Sequence, residues 1–503
     1  MKRSARIEWT LLSTLVAAAV SAQPAGRPAP APERGQALYT THCAVCHGNE
    51  GAADGAAAYL LSPRPRDFTR GSFKIRSTAT GSLPTDQDLF RTITSGMAGT
   101  AMSAWNHLPD ADRWALVDVL KTFSPRFREE GPGETVTIAE PPADLSRLVP
   151  AGKAAYEKYR CGDCHGAAGR GDGPSSATLK DDTGVPIRPY DFTRPGRYKG
   201  GDAPQDVYRT FTTGFDGTPM PSFAFAIPEQ DRWSIVAYVK SLSILEPAAA
   251  RSPANGILEV SKVKKLPVEP DAAAWESLAE YEIPLRPVWG RENTTPAVRV
   301  SAAADGKRLA VRMRWRDTSA DLRMLRPEDF RDAAAVQFSL AGPDVTFAMG
   351  AREKPVNIWH WKADWQKDLA GREDIETVAP GMVVDLYPFA RGGAVDPLYL
   401  AGRAAGNPFS RANRASPIED LNAGGIGTLT PQPLEGQNVG GKGVWSDGQW
   451  RVVFFRSLES NGREDARLED GIPVAFAVWN GSEGDRNGNK AFSIWYRLRF
   501  VTH

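Results

Sequence analysis

Two short segments, CAVCH at residues 43–47 and CGDCH at 161–165, constrain this chain more than anything else in it. They hold all four of its cysteines, so none is left for a structural bridge. C-x-x-C-H is the attachment signature of c-type haem. The spacing follows from the chemistry. Two thiols three residues apart at a helix end reach the two vinyl groups on one porphyrin edge, and the next residue, a histidine, meets the iron as proximal ligand. One such motif is compatible with a redox dithiol or half a zinc site. Two, each followed at a matched distance by a methionine, leave those readings little room.

The motifs stand 118 residues apart, as do GTAMSAW (99–105) and GTPMPSF (217–223). Between them RPRDFTR (64–70) echoes RPYDFTR (188–194), and DRWALVDVLKTF (112–123) echoes DRWSIVAYVKSL (231–242). The same unit therefore occurs twice. Each copy reads as mostly helical, with Trp114, Val117 and Leu120, and again Trp233, Val236 and Val239, at helical spacing. The ligands assigned are Cys43, Cys46, His47 with Met102, and Cys161, Cys164, His165 with Met220. A methionine thioether is a soft sixth ligand that raises the potential of a His-ligated haem. Met97 competes in the first copy, but Phe215 stands opposite it in the second, so Met97 is read as core. His42 and His107 qualify on chemistry alone, yet neither has a counterpart in the other copy.

The remaining bulk properties bound the class. A chain of 503 residues suggests three domains, and 61 basic against 60 acidic residues give no nucleic-acid footprint. Lys2, Arg3 and Arg6, then WTLLSTLVAAAV, then Val20-Ser21-Ala22 read as a signal peptide (1–22) cleaved after Ala22. An exported, periplasmic protein is expected. No later segment is long and apolar enough to span a membrane, so no transmembrane segment is expected in the mature chain. No Gly-rich phosphate loop, nucleophile elbow or four-cysteine cluster is present, and no catalytic residue is assigned.

From about residue 271 the texture changes to short alternating runs bounded by turns, which predicts an antiparallel β-sandwich. The closing stretch alternates, with Phe492, Ile494, Tyr496, Leu498 and Phe500 on one parity and Lys490 on that same parity. Val345, Phe347 and Met349 alternate likewise. An inward amine and an inward thioether on two strands are able to clamp an iron. On pattern alone, however, such a methionine is more often core filler, and such a lysine more often snorkels.

Both parts resemble known families. Residues 34–127 and 148–246 look like class I-type c-type cytochrome domains. FAMGAREKPVNIWHWKADW, SPIEDLNAGGIGTLT, GVWSDGQWRVVFFRSL and FAVWNGSEGDRNGNKAFSIW, within 271–503, are similar to the haem-binding gamma subunit of ethylbenzene dehydrogenase and its relatives. That resemblance implies one non-covalent haem b held between Met349 and Lys490, beside two covalent haem c groups. It also implies partners: a molybdopterin catalytic subunit, an iron–sulfur subunit, and a soluble or membrane redox partner. His360, between Trp359 and Trp361, is read as a pocket or structural residue. Arg64, Arg66 and Arg188 are candidates to pair with haem propionates.

The expected architecture is multidomain. A signal peptide (1–22), a linker (23–33) and a cytochrome c domain (34–127) come first. A linker (128–147), a second cytochrome c domain (148–246) and a linker (247–270) follow, and a β-sandwich haem b domain (271–503) ends the chain. The expected function is electron transfer as a subunit of an oxidoreductase complex, without catalysis of its own. The alternative is a di-haem cytochrome c carrying a β-sandwich module that binds a partner or ligand without haem. Residues 386–445 read as a long Gly-rich excursion.

Overall fold

Each cysteine motif sits where one helix gives way to a shorter one. α1 (Pro32–His42) ends, the chain turns at Cys43, and α2 (Ala44–His47) carries the rest of the motif. α3 (Asp86–Ser95), α4 (Asp110–Thr122) and the short α5 (Arg126–Glu129) complete the first copy. The second copy repeats the plan with α6 (Val149–Lys158), α7 (Gly162–His165), α8 (Pro204–Thr213) and α9 (Glu229–Ser241). This computed structural model describes residues 27–193, 198–243, 253–289, 294–342, 345–371, 373, 378–381 and 415–501. The expected signal peptide lies outside these residues.

The local sequence explains the helices. α4 opens with Asp110 and Asp112 and closes near Lys121, and α9 opens with Glu229 and Asp231 and closes near Lys240. Both therefore complement the helix dipole. Their tryptophan faces are buried, with Val117 and Val236 fully so. α1 crosses α4 at Gly35, where a Cβ would lie 2.4 Å from the Ala115 carbonyl oxygen. α6 crosses α9 at Gly152, where a Cβ would lie 1.9 Å from that of Ser234. Glycine at each crossing lets the first and last helices of each copy meet backbone to backbone.

The C-terminal part is one hydrogen-bonded sheet. Its strands, in chain order, begin with β1 (Ile257–Lys262), β2 (Tyr281–Pro284), β3 (Arg286–Pro287), β4 (Ala297–Ala304) and β5 (Arg308–Arg316). β6 (Ala333–Ser339), β7 (Val356–Lys362), β8 (Ile418–Ala423), β9 (Thr430–Pro431) and β10 (Gly440–Ser446) follow. β11 (Gln449–Ser457), β12 (Pro473–Trp479), β13 (Ala491–Phe492) and β14 (Tyr496–Phe500) complete it. The main path runs β10-β11-β5-β4-β1-β14-β12-β6-β7-β8-β9. The two halves fold over one shared core in which Met313 and Phe454 face Val336 and Trp361. Trp361 meets Trp450 edge-on at 4.8 Å.

The expectation of a purely antiparallel sheet needs correction. β1 pairs parallel with both β4 and β14, so the sheet is mixed. The reason lies in the chain path: residues 257–262, inside the expected 247–270 linker, enter the sheet between its first long strand and its last. Two further differences concern the excursion and the closing strand. Residues 418–423 and 440–446 of the Gly-rich excursion form strands, while 382–414 lie outside the described residues. The closing alternation breaks at 493–495, where Ser493 Oγ accepts from the Phe476 N–H (2.9 Å), so Ser493 and Trp495 are buried as well.

Candidate haem sites

In the first copy Cys43, Cys46, His47 and Met102 line one cavity of about 150 Å³ with Leu61 and Phe73. The RPRDFTR loop orients the histidine. His47 Nδ1 donates to the Arg66 carbonyl oxygen (3.0 Å), and the ring stacks on Phe68 at 4.4 Å. Nε2 is then the nitrogen available to a metal, and burial lowers the imidazole pKa to about 4, which favours the neutral form that a metal would need. The second copy repeats this at the equivalent loop. His165 Nδ1 donates to the Tyr190 oxygen (3.2 Å), the ring stacks on Phe192 at 4.5 Å, and burial lowers its pKa too. Tyr39 and Tyr156 hydroxyls donate to the carbonyls of Gly48 and Gly166 (2.7 and 2.8 Å), fixing the turn after each motif.

The methionine turns also match. Met102 N–H donates to Thr100 Oγ1 (3.1 Å), and Met220 N–H to Thr218 Oγ1 (3.2 Å). Met97, read as core, lines the first cavity beside Met102, as does His42, which lies 5.0 Å from the Trp105 ring. His107 is not among the cavity residues and packs on Trp105 at 5.6 Å. Cys161 and Met220 flank one apolar cluster with Tyr190 and Phe192. Arg64 and Arg66 both line the first cavity.

The sheet builds a second, wider cavity of about 520 Å³, within the range of about 300–1,000 Å³ usual for cofactor sites. Its floor is one face of β6, β7 and β12. Ala335 pairs with Ala477 on one side and His360 on the other, and Ala333 and Ala475 lie on the same face. Alanine at these positions leaves a flat space that larger side chains would fill. His360 Nε2 is buried without a partner among the described residues, and its ring stacks on Trp479 at 4.8 Å.

Met349 and Lys490 meet in this cavity, with Lys490 Nζ 3.9 Å from Met349 Sδ. The route to that meeting differs from the strand-on-strand expectation. Residues 347–349 form a turn in which Met349 takes a φ of +65°, a region sparsely used by side-chain-bearing residues. Lys490 lies one residue before β13, and its carbonyl accepts from the Val288 N–H (3.1 Å). The alternation Val345, Phe347, Met349 thus belongs to a loop, and a strained turn rather than a pleat points the thioether inward. The Lys490 nitrogen and the Met349 sulfur are the donors that would hold an iron here, and the 3.9 Å between them would have to widen to admit it. Burial lowers the Lys490 pKa to about 8, and Trp479 sits 5.1 Å from its nitrogen. The donor set and the floor therefore fit a haem. The residues that sequence reasoning missed are those of the alanine floor, signalled by A-x-A spacing in DAAAV and VAFAV.

The fold is that of an electron-transfer subunit, with cytochrome c domains ahead of a sheet domain. The family described as "Ethylbenzene dehydrogenase" matches residues 272–491, "Cytochrome C oxidase, cbb3-type, subunit III" matches 30–118, and "Cytochrome c" matches 149–243. The chain belongs to the ethylbenzene dehydrogenase gamma-type family of haem subunits, with cytochrome c domains ahead of the shared part. It is 30% identical over 278 residues to a haem subunit assigned to a respiratory nitrate reductase (ORF7) of Haloferax mediterranei, covering 53% of this chain and 81% of that one. It is likewise 30% identical to the dimethylsulfide dehydrogenase subunit gamma of Rhodovulum sulfidophilum, covering 47% and 77%. Among solved structures, a chain of the Kuenenia stuttgartiensis reducing HAO-like protein complex Kustc0457/Kustc0458 is 46% identical, covering 42% of this chain and 96% of that one, at a TM-score of 0.41.

Proposed function

We propose that this chain is a three-haem wire, two haem c and one haem b, working as the electron-transfer subunit of a molybdopterin oxidoreductase complex outside the cytoplasm. The observation that carries the reading is a shared wall. Cys46, Leu61 and Phe347 line both the first cytochrome cavity and the sheet cavity. Trp105 and Phe347 lie 5.9 Å apart across the same boundary, and Ser62 N–H donates to the Val288 carbonyl (3.2 Å). The second cytochrome domain docks on the first instead, through Arg76 and Asp216 (2.8 Å). This arrangement supports the order haem b, first haem c, second haem c. Were each iron held by two protein side chains, it would pass electrons rather than bind substrate.

In this reading His47 with Met102, His165 with Met220, and Met349 with Lys490 are the side chains that would hold the three irons. The cysteines hold their groups covalently, and the alanine floor with Phe347 excludes water from the non-covalent one. The second domain, docked on the first, faces the soluble or membrane redox partner in this reading, and the sheet domain faces an iron–sulfur subunit. Export through residues 1–22, with cleavage after Ala22, belongs to the same reading. No helix among the described residues is long and apolar enough to cross a membrane. The test is Lys490→Ala in the exported protein. Loss of the low-spin b-type spectrum with both covalent haems retained is expected. An unchanged b-type spectrum refutes the ligand assignment.

A further inference from the structure

The first cytochrome cavity is not closed by its own domain. Lys199, from the loop before α8 in the second domain, is one of its lining residues, beside Arg66 and Lys74 from the first. The contact is close. A Cβ on Gly200 would lie 3.6 Å from Ile75 Cδ1, and Ile75 also lines the cavity. The docking of the two domains around this point is specific. The Arg76 guanidinium donates to the Thr213 carbonyl (2.8 Å), and the Gly81 N–H donates to Asp216 (3.1 Å).

Three cations thus converge on one apolar slot. Burial first, then Arg66 and Lys199, lower the Lys74 pKa to about 8 against the pull of Asp181 and Asp182. The same two carboxylates face Arg66. For Lys199 no carboxylate among the described residues opposes the shift, and burial lowers its pKa. An ammonium withdrawn from water is costly unless an anion meets it. A c-type haem bonded to Cys43 and Cys46 would carry two propionate carboxylates, and the cysteines and the three cations line the same cavity.

We infer that Lys199 of the second cytochrome domain, with Lys74 and Arg66 of the first, holds the propionates of the first domain's haem, so that this group is clamped between the two domains. Lys199 is then a positioning and potential-setting residue for a haem its own domain does not carry. A cation at this place favours the reduced, less positive centre. The inference rests on the proposed haem c at Cys43 and Cys46.

The experiment is a potentiometric titration of the full-length, haem-loaded protein followed by visible spectra. Lys199→Gln is expected to move one c-type step to lower potential by about tenfold in its redox equilibrium, ~59 mV for one electron. Lys199→Glu should move it further, and Lys199→Arg should leave it within threefold. Met102→His identifies the step, because the step it displaces belongs to the first domain. A Lys199→Gln protein with two covalent haems and unmoved steps overturns the clamp alone. So does a shift in the step that Met102→His leaves in place. A wild-type protein lacking covalent haem at Cys43 and Cys46 overturns the clamp and the proposed function together.

Discussion

Arg76→Ala should undock the two cytochrome domains. The Arg76 side chain is fully buried and that of Asp216 is 10% exposed, and their ion pair spans the interface at 2.8 Å. Arg76 also donates to the Thr213 carbonyl (2.8 Å) and to its own domain's Ala79 carbonyl (3.2 Å). Burial lowers the Arg76 pKa and raises that of Asp216, so desolvation works against both partners and the intact pair adds little net stability. Removing one partner is different, because Asp216 stays behind without its contacting cation. Such deletions cost about 3–5 kcal/mol, and about 1.4 kcal/mol is a factor of ten. Docking should therefore weaken by roughly a hundredfold to a few thousandfold. Where opening is fast, proteolysis tracks the open population. Cleavage within residues 129–142, which join the domains and hold to the first through Val136 N–H and the Ser77 carbonyl (2.7 Å), should accelerate by at least the lower factor. Both covalent haems should remain, and small-angle scattering should show a larger particle. A rise in cleavage below threefold with unchanged scattering would refute the reasoning.

Three other perturbations follow from the sheet domain. Ala335→Leu fills the cavity floor between Ala477 and His360, so extractable haem should disappear while the c-type content and circular dichroism stay as in the wild type. Asp332 is buried, and its pKa is raised from 3.8 to about 7, first by burial and then by Asp317. A raised carboxyl contributes stability that is present below its unfolded value and lost as pH rises through its folded one. The thermal midpoint of the sheet domain should fall between pH ~4 and ~7, and Asp332→Asn should flatten that slope. Lys362 and Glu419 form a buried ion pair, with side chains 2% and 3% exposed. Lys362→Ala should cost about 3–5 kcal/mol in denaturant unfolding, and Lys362→Met with Glu419→Leu should recover most of it.

The cytochrome half was legible because its chemistry is local. The cysteines and histidine are neighbours in sequence, and duplication marked Met102 and Met220 through identical turns. The RPxDFTR loops were recognisable as part of the site, but not for the reason that matters most. Their third residue works through its backbone carbonyl and their phenylalanine through its ring, and backbone roles leave no side-chain signature. In the sheet the alternation of Phe347 and Met349 was read as a pleat, whereas a left-handed turn at Met349 sets the thioether's direction. Periodicity cannot see a positive φ on a residue other than glycine. β1 was hidden because its six residues follow a proline-rich linker and pair in parallel with strands distant in sequence. The wall shared by the two cavities, and the entry of Lys199 into the first, are contacts between domains, which no pattern within one domain encodes.

The central claim is a wire of three haems in one chain. A pyridine haemochrome spectrum of the purified, exported protein, taken before and after extraction into acidic acetone, tests it most directly. The account predicts two covalent c-type haems and one extractable b-type haem per chain. Two c-type haems with nothing extractable, after expression with ample haem, would contradict it and leave the sheet as a docking module without haem.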